Sequence, residues 1–204
     1  MQTFLNLNSH SNEIIVSNEN SLAIKLLENK KNFSIIIGPE KSGKSILAKK
    51  FSNLNGFNII NDVTKNLNFQ NSTFLDMNEL PLNNDYFFHF IQYFITNNIG
   101  LTIFTSSDFF KNEIKSLAIP DTLSRLKSFN IAHIDEPKDD LLFKLIEKFL
   151  MYKSISVSKD IILTTMGYIN RTYKEAFIAS ETINHLLYNN NHNINLSLIR
   201  QHYE

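Results

Sequence analysis

Apolar side chains fall in short runs and in faces of helical spacing, and the two kinds alternate along the first two thirds of the chain. Phe33–Ile37 is an apolar run of strand length, and the positions from Ser45 to Leu54 then follow a helical period. Phe57–Ile60, Ser72–Asp76, Gly100–Phe104 and Ile131–Ile134 are four more short runs with strand character. Asp85–Asn97 sits between two of them and is strongly helical in pattern, with Phe87, Phe88, Ile91, Phe94 and Ile95 apolar. Pro120–Lys127 predicts a further helical turn. Before the first run, Asn18 or Asn20 is positioned to cap a helix reaching about Asn29, with Leu22, Ala23, Leu26 and Leu27 on one side. Asp135-Glu136-Pro137 marks a boundary. Beyond it only helical periods follow, at Lys138–Lys153, Ser158–Met166, Asn170–Tyr188 and Leu196–Tyr203, with Ser158 a cap and Gly167 a stop. The asparagine-rich stretch from Asn189 to Asn195 reads as a solvated loop.

Alternating strands and helices predict an α/β domain with a five-stranded parallel sheet, followed by a small helical lid. The expected division is 1–12 as an extended tail, 13–137 as the α/β domain and 138–204 as the lid. A length of 204 residues with 43% hydrophobic and 20% charged residues allows a sizeable core. Formal net charge is zero, which gives no general pull toward nucleic acid or acidic membranes. The chain has no cysteine, hence no disulfide framework and no thiolate metal site. The first residues lack a signal-peptide pattern and no apolar stretch is long enough to span a bilayer. A soluble, cytoplasmic protein is the expectation. Of twenty basic residues only Arg125, Arg171 and Arg200 are arginines, so those positions draw attention as sites for a planar, bidentate fork.

The chemistry concentrates in Gly38-Pro39-Glu40-Lys41-Ser42-Gly43-Lys44-Ser45, which satisfies the phosphate-loop pattern G-x-x-x-x-G-K-[ST]. The glycines let the backbone curl so that successive N–H groups face one phosphate. The following helix adds the positive end of its dipole. Lys44 would neutralise the β- and γ-phosphates and the Ser45 hydroxyl would hold Mg²⁺. The chain has only five glycines, and two stand here in the strand–loop–helix context the motif requires. Asp76, ending the third strand, is placed either to orient the Mg²⁺ shell or to serve as an ordinary turn aspartate. Thr105-Ser106-Ser107-Asp108, ending the fourth strand, would sense a γ-phosphate or cap the next helix. On spacing alone, the tail Gln2–Leu7 reads as a terminus folded back on its own core, the alternative being an extended peptide for a partner's pocket.

In this order the features resemble AAA+ ATPases, more narrowly the DnaA group and within it the short Hda-type regulators, over nearly the full length. Ile15-Val16 with Asn20 and Ala23 is similar to the segment that lines the adenine pocket in that group. Ser106 and Ser107 stand at its sensor 1 turn, Leu123-Ser124-Arg125-Leu126 resembles its arginine-finger box, and Asn170-Arg171 resembles its sensor 2 at the start of a lid helix. The family carries a glutamine- and leucine-containing motif for the DNA polymerase III sliding clamp. Gln2, Leu5 and Leu7 match it, whereas Thr3 and Asn6 depart from it, and the resemblance turns the tail toward partner binding.

The resemblance implies bound ADP or ATP with Mg²⁺, a bacterial cytoplasmic location at the nucleoid through the clamp, and DnaA as partner, with Arg125 directed at DnaA's γ-phosphate. It implies no direct sequence-specific DNA binding and no membrane contact. A homodimer is compatible with it. The lid is expected to be complete about where the chain ends, and the helix-turn-helix domain of DnaA is not expected here. One departure bears on catalysis. DnaA-type strands end in two acids, and here Met77, then Asn78 and Glu79, follow Asp76. A thioether does not polarise water, so the chain's own hydrolysis is expected to be slow or absent. The competing readings are a DnaA-like or helicase-loader ATPase acting on DNA, a small-molecule kinase, which would want more arginines, and a non-hydrolysing interaction module.

Overall fold

The structure is a computed structural model, and it describes residues 14–29, 33–63, 67–82, 84–106, 119–191 and 193–204. Gln2, Leu5 and Leu7 of the expected clamp-binding tail, and Ser107 of the expected sensor 1, lie outside the described residues. Five strands, β1 (Phe33–Ile37), β2 (Asn58–Ile60), β3 (Thr73–Asp76), β4 (Leu101–Thr105) and β5 (Asn130–His133), pair in the order β2-β3-β4-β1-β5 with every pairing parallel. A parallel sheet covered on both faces needs strands apolar on both sides, and this is what the runs supply: Ile35, Ile36, Leu75, Leu101, Ile103 and Phe104 have no exposed surface. The two polar side chains inside β1 and β4 satisfy each other, with Ser34 Oγ 2.9 Å from Thr102 Oγ1.

The chain passes from β1 to the far edge at β2, returns strand by strand to β4, and then crosses to β5 on the other side of β1. That reversal puts the topological switch point at the C-terminal end of β1, where the phosphate-loop motif begins.

The helices that cover the sheet are α1 (Ser21–Leu27), α2 (Lys44–Asn55), α3 (Asp85–Thr96) and α4 (Pro120–Leu126). In α3 the buried face is Phe87, Phe90, Ile91 and Phe94, a spacing of three, one and three. Phe88 and Ile95, also apolar in the helical pattern, are half-buried on the shoulders of this stripe, and Phe90 joins its centre. Asn84 caps α3 by accepting a hydrogen bond from Tyr86 N at 2.8 Å. Asn20 precedes α1 but makes no side-chain capping bond.

The described chain groups into two compact units, Asn18–Asp135 and a second comprising Glu136–Glu204 with the residues before Asn18. The second unit is helical: α5 (Asp139–Tyr152), α6 (Lys159–Met166), α7 (Tyr173–Asn189) and α8 (Leu196–Tyr203). Its own core joins Leu142, Ile146, Leu150, Ile162, Ala176 and Ile183. The sequence reading started α7 at Asn170, whereas the helix begins three residues later. Thr172 is the cap, its hydroxyl accepting from Glu175 N at 3.0 Å. Arg171 therefore stands in the turn between α6 and α7 and not on a helix. Among the described residues no helix is long and apolar enough to cross a membrane.

Candidate functional site

The loop after β1 is built by two backbone constraints. Gly38 N donates to Thr105 O at 3.1 Å, so the loop's first residue is still tied to the end of β4. A Cβ on Gly38 would lie 2.9 Å from Ile134 Cβ and 2.9 Å from Ser42 Oγ, so only glycine fits there. The loop then turns through two left-handed residues, Lys41 (φ 62°) and Gly43 (φ 88°). Glycine takes that conformation at no steric cost, whereas at Lys41 it costs about 1–2 kcal/mol. Such strain gathers at ligand-holding segments. Gly43 is the N-cap of α2 and offers no side-chain cap, and no acid stands in the first turn, so the leading N–H groups of α2 are left for an anion.

Lys44 is the first residue of that helix and only 5% exposed. Its ammonium donates to Gly38 O and Pro39 O, each at 2.8 Å. Burial pulls its pKa below the ordinary lysine value, and the negative charges of Asp76 and Glu40 act in the opposite direction. Ser45, beside it, is exposed, as are Glu40 and Lys41, and Pro39 is half-buried. The Ser42 hydroxyl is buried with no hydrogen-bond partner among the described residues.

Asp76 reaches this neighbourhood from β3. It pairs in register with Phe104 of β4, which in turn pairs with Ile36 of β1, so the three strand ends lie in one row. The ladder runs past the strand: Met77 N donates to Phe104 O at 3.0 Å. The Met77 side chain is half-buried and packs against the core cluster on one face of the sheet. Asn78 then becomes a junction. Its carbonyl accepts from Thr105 Oγ1 at 2.9 Å and from Ser106 N at 3.0 Å, and its side-chain Oδ1 accepts from Ser106 Oγ at 3.2 Å. Sequence reading noted Asn78 only as a neighbour of Met77.

Arg125 lies near the end of α4 with an exposed side chain. The helix carrying it is tied back toward the β3 end, because Ile119 N donates to Leu82 O at 2.9 Å. Arg171, in the second unit, uses its guanidinium locally. Nη1 donates to Met166 O and Ile169 O at 3.1 and 3.0 Å, satisfying carbonyls at the end of α6, and Nε donates to Asp139 Oδ1 at 3.0 Å. Ile15, also grouped with the second unit, is half-buried. Among the described residues no cluster of three or more histidine or acidic side chains stands ready to hold a metal by itself.

No family model and no curated protein matches this sequence. Solved structures do match. Domain III of the replication initiation protein DnaA from Thermotoga maritima aligns with a TM-score of 0.72 at 12% identity, covering 93% of this chain and 92% of that domain. The Holliday junction branch migration motor RuvB of Thermotoga maritima gives 0.67 at 14% identity, over 91% of this chain and 68% of its own. DnaA from Aquifex aeolicus with bound AMPPCP gives 0.63 at 15% identity, over 86% of this chain and 63% of its own. Likeness at such identities is a likeness of fold. The five-stranded parallel sheet with the phosphate loop at its switch point has the AAA+ P-loop NTPase fold, in the form seen in DnaA domain III and RuvB.

Proposed function

We propose that this chain is a nucleotide-holding AAA+ regulator of replication initiation that docks on the DNA polymerase III sliding clamp and promotes ATP hydrolysis by DnaA. The observation that carries the reading is Met77. The position after Asp76, where a hydrolysing site wants an acid, holds a thioether packed against the sheet core. Glu79 is exposed two residues further on, past the Asn78 junction. The loop is thus equipped to bind phosphates, but the residue that follows Asp76 offers no general base.

The residues fit an adenine nucleotide with Mg²⁺. Lys44, already bonded to two loop carbonyls, supplies a cation that a β-phosphate oxygen would share. Gly43 and the uncapped start of α2 supply backbone donors. The Ser45 hydroxyl would ligate Mg²⁺, with Asp76 orienting its water shell, and the ion would neutralise charge on the β- and γ-oxygens. Ile15 would border the base, Ser106 and Ser107 would face the γ-phosphate as sensor 1, and Arg171 would approach the phosphates as sensor 2. That DnaA of Aquifex aeolicus holds AMPPCP supports nucleotide binding by this fold.

Arg125 is the residue directed outward. Its exposed guanidinium suits a role in a neighbour's site, where it would stabilise charge developing on DnaA's γ-phosphate. Gln2, Leu5 and Leu7 would bring the chain to the clamp on DNA, so that DnaA is converted to its ADP form there. The test is ATP hydrolysis by DnaA with this chain, clamp and DNA. Stimulation that requires all three supports the reading, and no stimulation overturns it. A second reading, an ATPase acting on DNA, draws on a DnaA neighbour bound to AMPPCP and single-stranded DNA. A salt-dependent affinity of the isolated chain for single-stranded DNA would favour it.

A further inference from the structure

Three strand ends meet at the phosphate side of the sheet, and the residues around Asn78 join two of them. Gly38 N is bonded to Thr105 O, Thr105 Oγ1 and Ser106 N are bonded to the carbonyl of Asn78, and Ser106 Oγ donates to Asn78 Oδ1. The bonds to the Asn78 carbonyl and from Gly38 N fix where the end of β4 lies. The bond to Asn78 Oδ1 does something different: it decides where the single proton of the Ser106 hydroxyl points. That hydroxyl stands one residue beyond Thr105, whose carbonyl holds the first residue of the phosphate loop.

A hydroxyl has one proton to donate. A γ-phosphate presents only acceptor oxygens, as does Asn78 Oδ1, so the two compete for the same donor. We propose that Asn78 is a positioning residue of the nucleotide site, one that acts through Ser106 to set the preference between nucleoside diphosphate and triphosphate. By engaging the Ser106 proton, it withholds from a γ-phosphate the donor that this strand end would otherwise supply, and the site favours the diphosphate. A β-phosphate, cradled by the loop backbone and Lys44, does not draw on Ser106 and is unaffected. The inference rests on the reading of the loop as a nucleotide site and adds to it the group that selects the phosphate number.

Removing the Asn78 side chain leaves its carbonyl bonds to Thr105 and Ser106 in place, so Asn78→Ala takes away the acceptor of the Ser106 hydroxyl and keeps the backbone junction. The experiment is calorimetric titration of the full chain with MgADP and with Mg-AMPPCP. Asn78→Ala is expected to raise the affinity for AMPPCP relative to ADP by about three- to tenfold, the worth of one released donor. Asn78→Asp keeps an acceptor for Ser106 and is expected to keep the native ratio or lower it. In a Ser106→Ala background, Asn78→Ala is expected to have no further effect on the ratio, which a merely structural role for Asn78 would not produce. An unchanged ratio in Asn78→Ala, or the same rise without the Ser106 hydroxyl, overturns the inference while leaving nucleotide binding intact. Failure of both nucleotides to bind the native chain overturns the nucleotide reading and this inference together.

Discussion

Lys44 Nζ lies 2.8 Å from Gly38 O, so the cation of the phosphate loop is bonded to the loop's first carbonyl. The bond, with its twin to Pro39 O, satisfies a buried ammonium that would otherwise be costly, and it keeps the charge beside the leading N–H groups of α2. A phosphate entering the loop completes this arrangement and need not create it. Lys44→Ala removes the charge and its hydrogen bonds together. Nucleotide affinity is expected to fall by about ten- to a hundredfold in calorimetric titration, the value of a charge-assisted bond lost.

The same burial gives a pH dependence of defined sign. Lys44 titrates below the ordinary value of 10.5 in the folded chain, burial outweighing the pull of Asp76 and Glu40. Between that depressed value and 10.5 the unfolded chain binds more protons than the folded one, so this residue's contribution to stability rises with pH across the window. Below the window its penalty is fully present. Phosphate binding needs the ammonium and moves the opposite way: affinity falls as pH climbs into the window. Titrations at rising alkaline pH should show the decline beginning below 10.5, and Lys44→Ala should flatten it.

The two motif glycines are needed for different reasons, and two substitutions separate them. Gly38→Ala sets a Cβ 2.9 Å from Ile134 Cβ, an atom fixed to the backbone of the segment after β5, and something must shift. Overpacking of that kind costs about 1–3 kcal/mol. Gly43→Ala meets nothing within 4 Å but holds φ at 88°, so its cost is backbone strain alone, about 1–2 kcal/mol. Denaturant titration should show both losses, with the Gly38 variant also disturbing the ladder bond to Thr105.

What the sequence disclosed follows from how local each feature is. The phosphate loop is contiguous, its glycines and lysine each demanded by backbone geometry, so Gly38–Ser45 could be read directly. The strands were legible because a buried parallel strand is apolar on both faces, and Ile35-Ile36-Ile37 shows nothing else. The sheet order was not legible, since nothing local records that β4 lies between β1 and β3. Cap residues misled. Asn20 and Ser158 have the right chemistry, yet neither makes a side-chain capping bond. At α7, the Thr172-x-x-Glu175 signal outcompetes Asn170. The Asn78–Ser106 bond joins residues 28 apart and required the sheet to bring them together.

Arg171 is both a local structural residue and a candidate phosphate contact, and the two roles are separable by stability. Arg171→Ala leaves the Met166 and Ile169 carbonyls without their donor, and a loss of about 1–2 kcal/mol in the helical unit is expected. Asp139→Ala breaks only the exposed ion pair and should cost less than about 1 kcal/mol. If Arg171 also meets phosphate, its alanine variant loses nucleotide affinity while Asp139→Ala does not, measured side by side at a temperature where both variants are folded.

Under the proposed function, Met77 and Arg125 would divide the catalytic question between two molecules. Met77 packs on the core, so Met77→Leu should change stability by less than about 1.5 kcal/mol and leave a slow intrinsic turnover unchanged. Met77→Glu brings a carboxylate against apolar neighbours and should cost about 1–3 kcal/mol. A native chain turning over ATP at the rate of an AAA+ motor would remove the basis for assigning hydrolysis to a partner. Arg125 is exposed, and its side chain makes no hydrogen bond or ion pair among the described residues, so Arg125→Ala should leave melting temperature and nucleotide affinity at native values. The same substitution is expected to cut stimulation of DnaA's ATP hydrolysis by about a thousandfold or more, the contribution of an arginine supplied in trans. The decisive pairing is Lys44→Ala with Arg125→Ala in the clamp-dependent assay. Both should abolish stimulation, but only the first should release nucleotide from this chain.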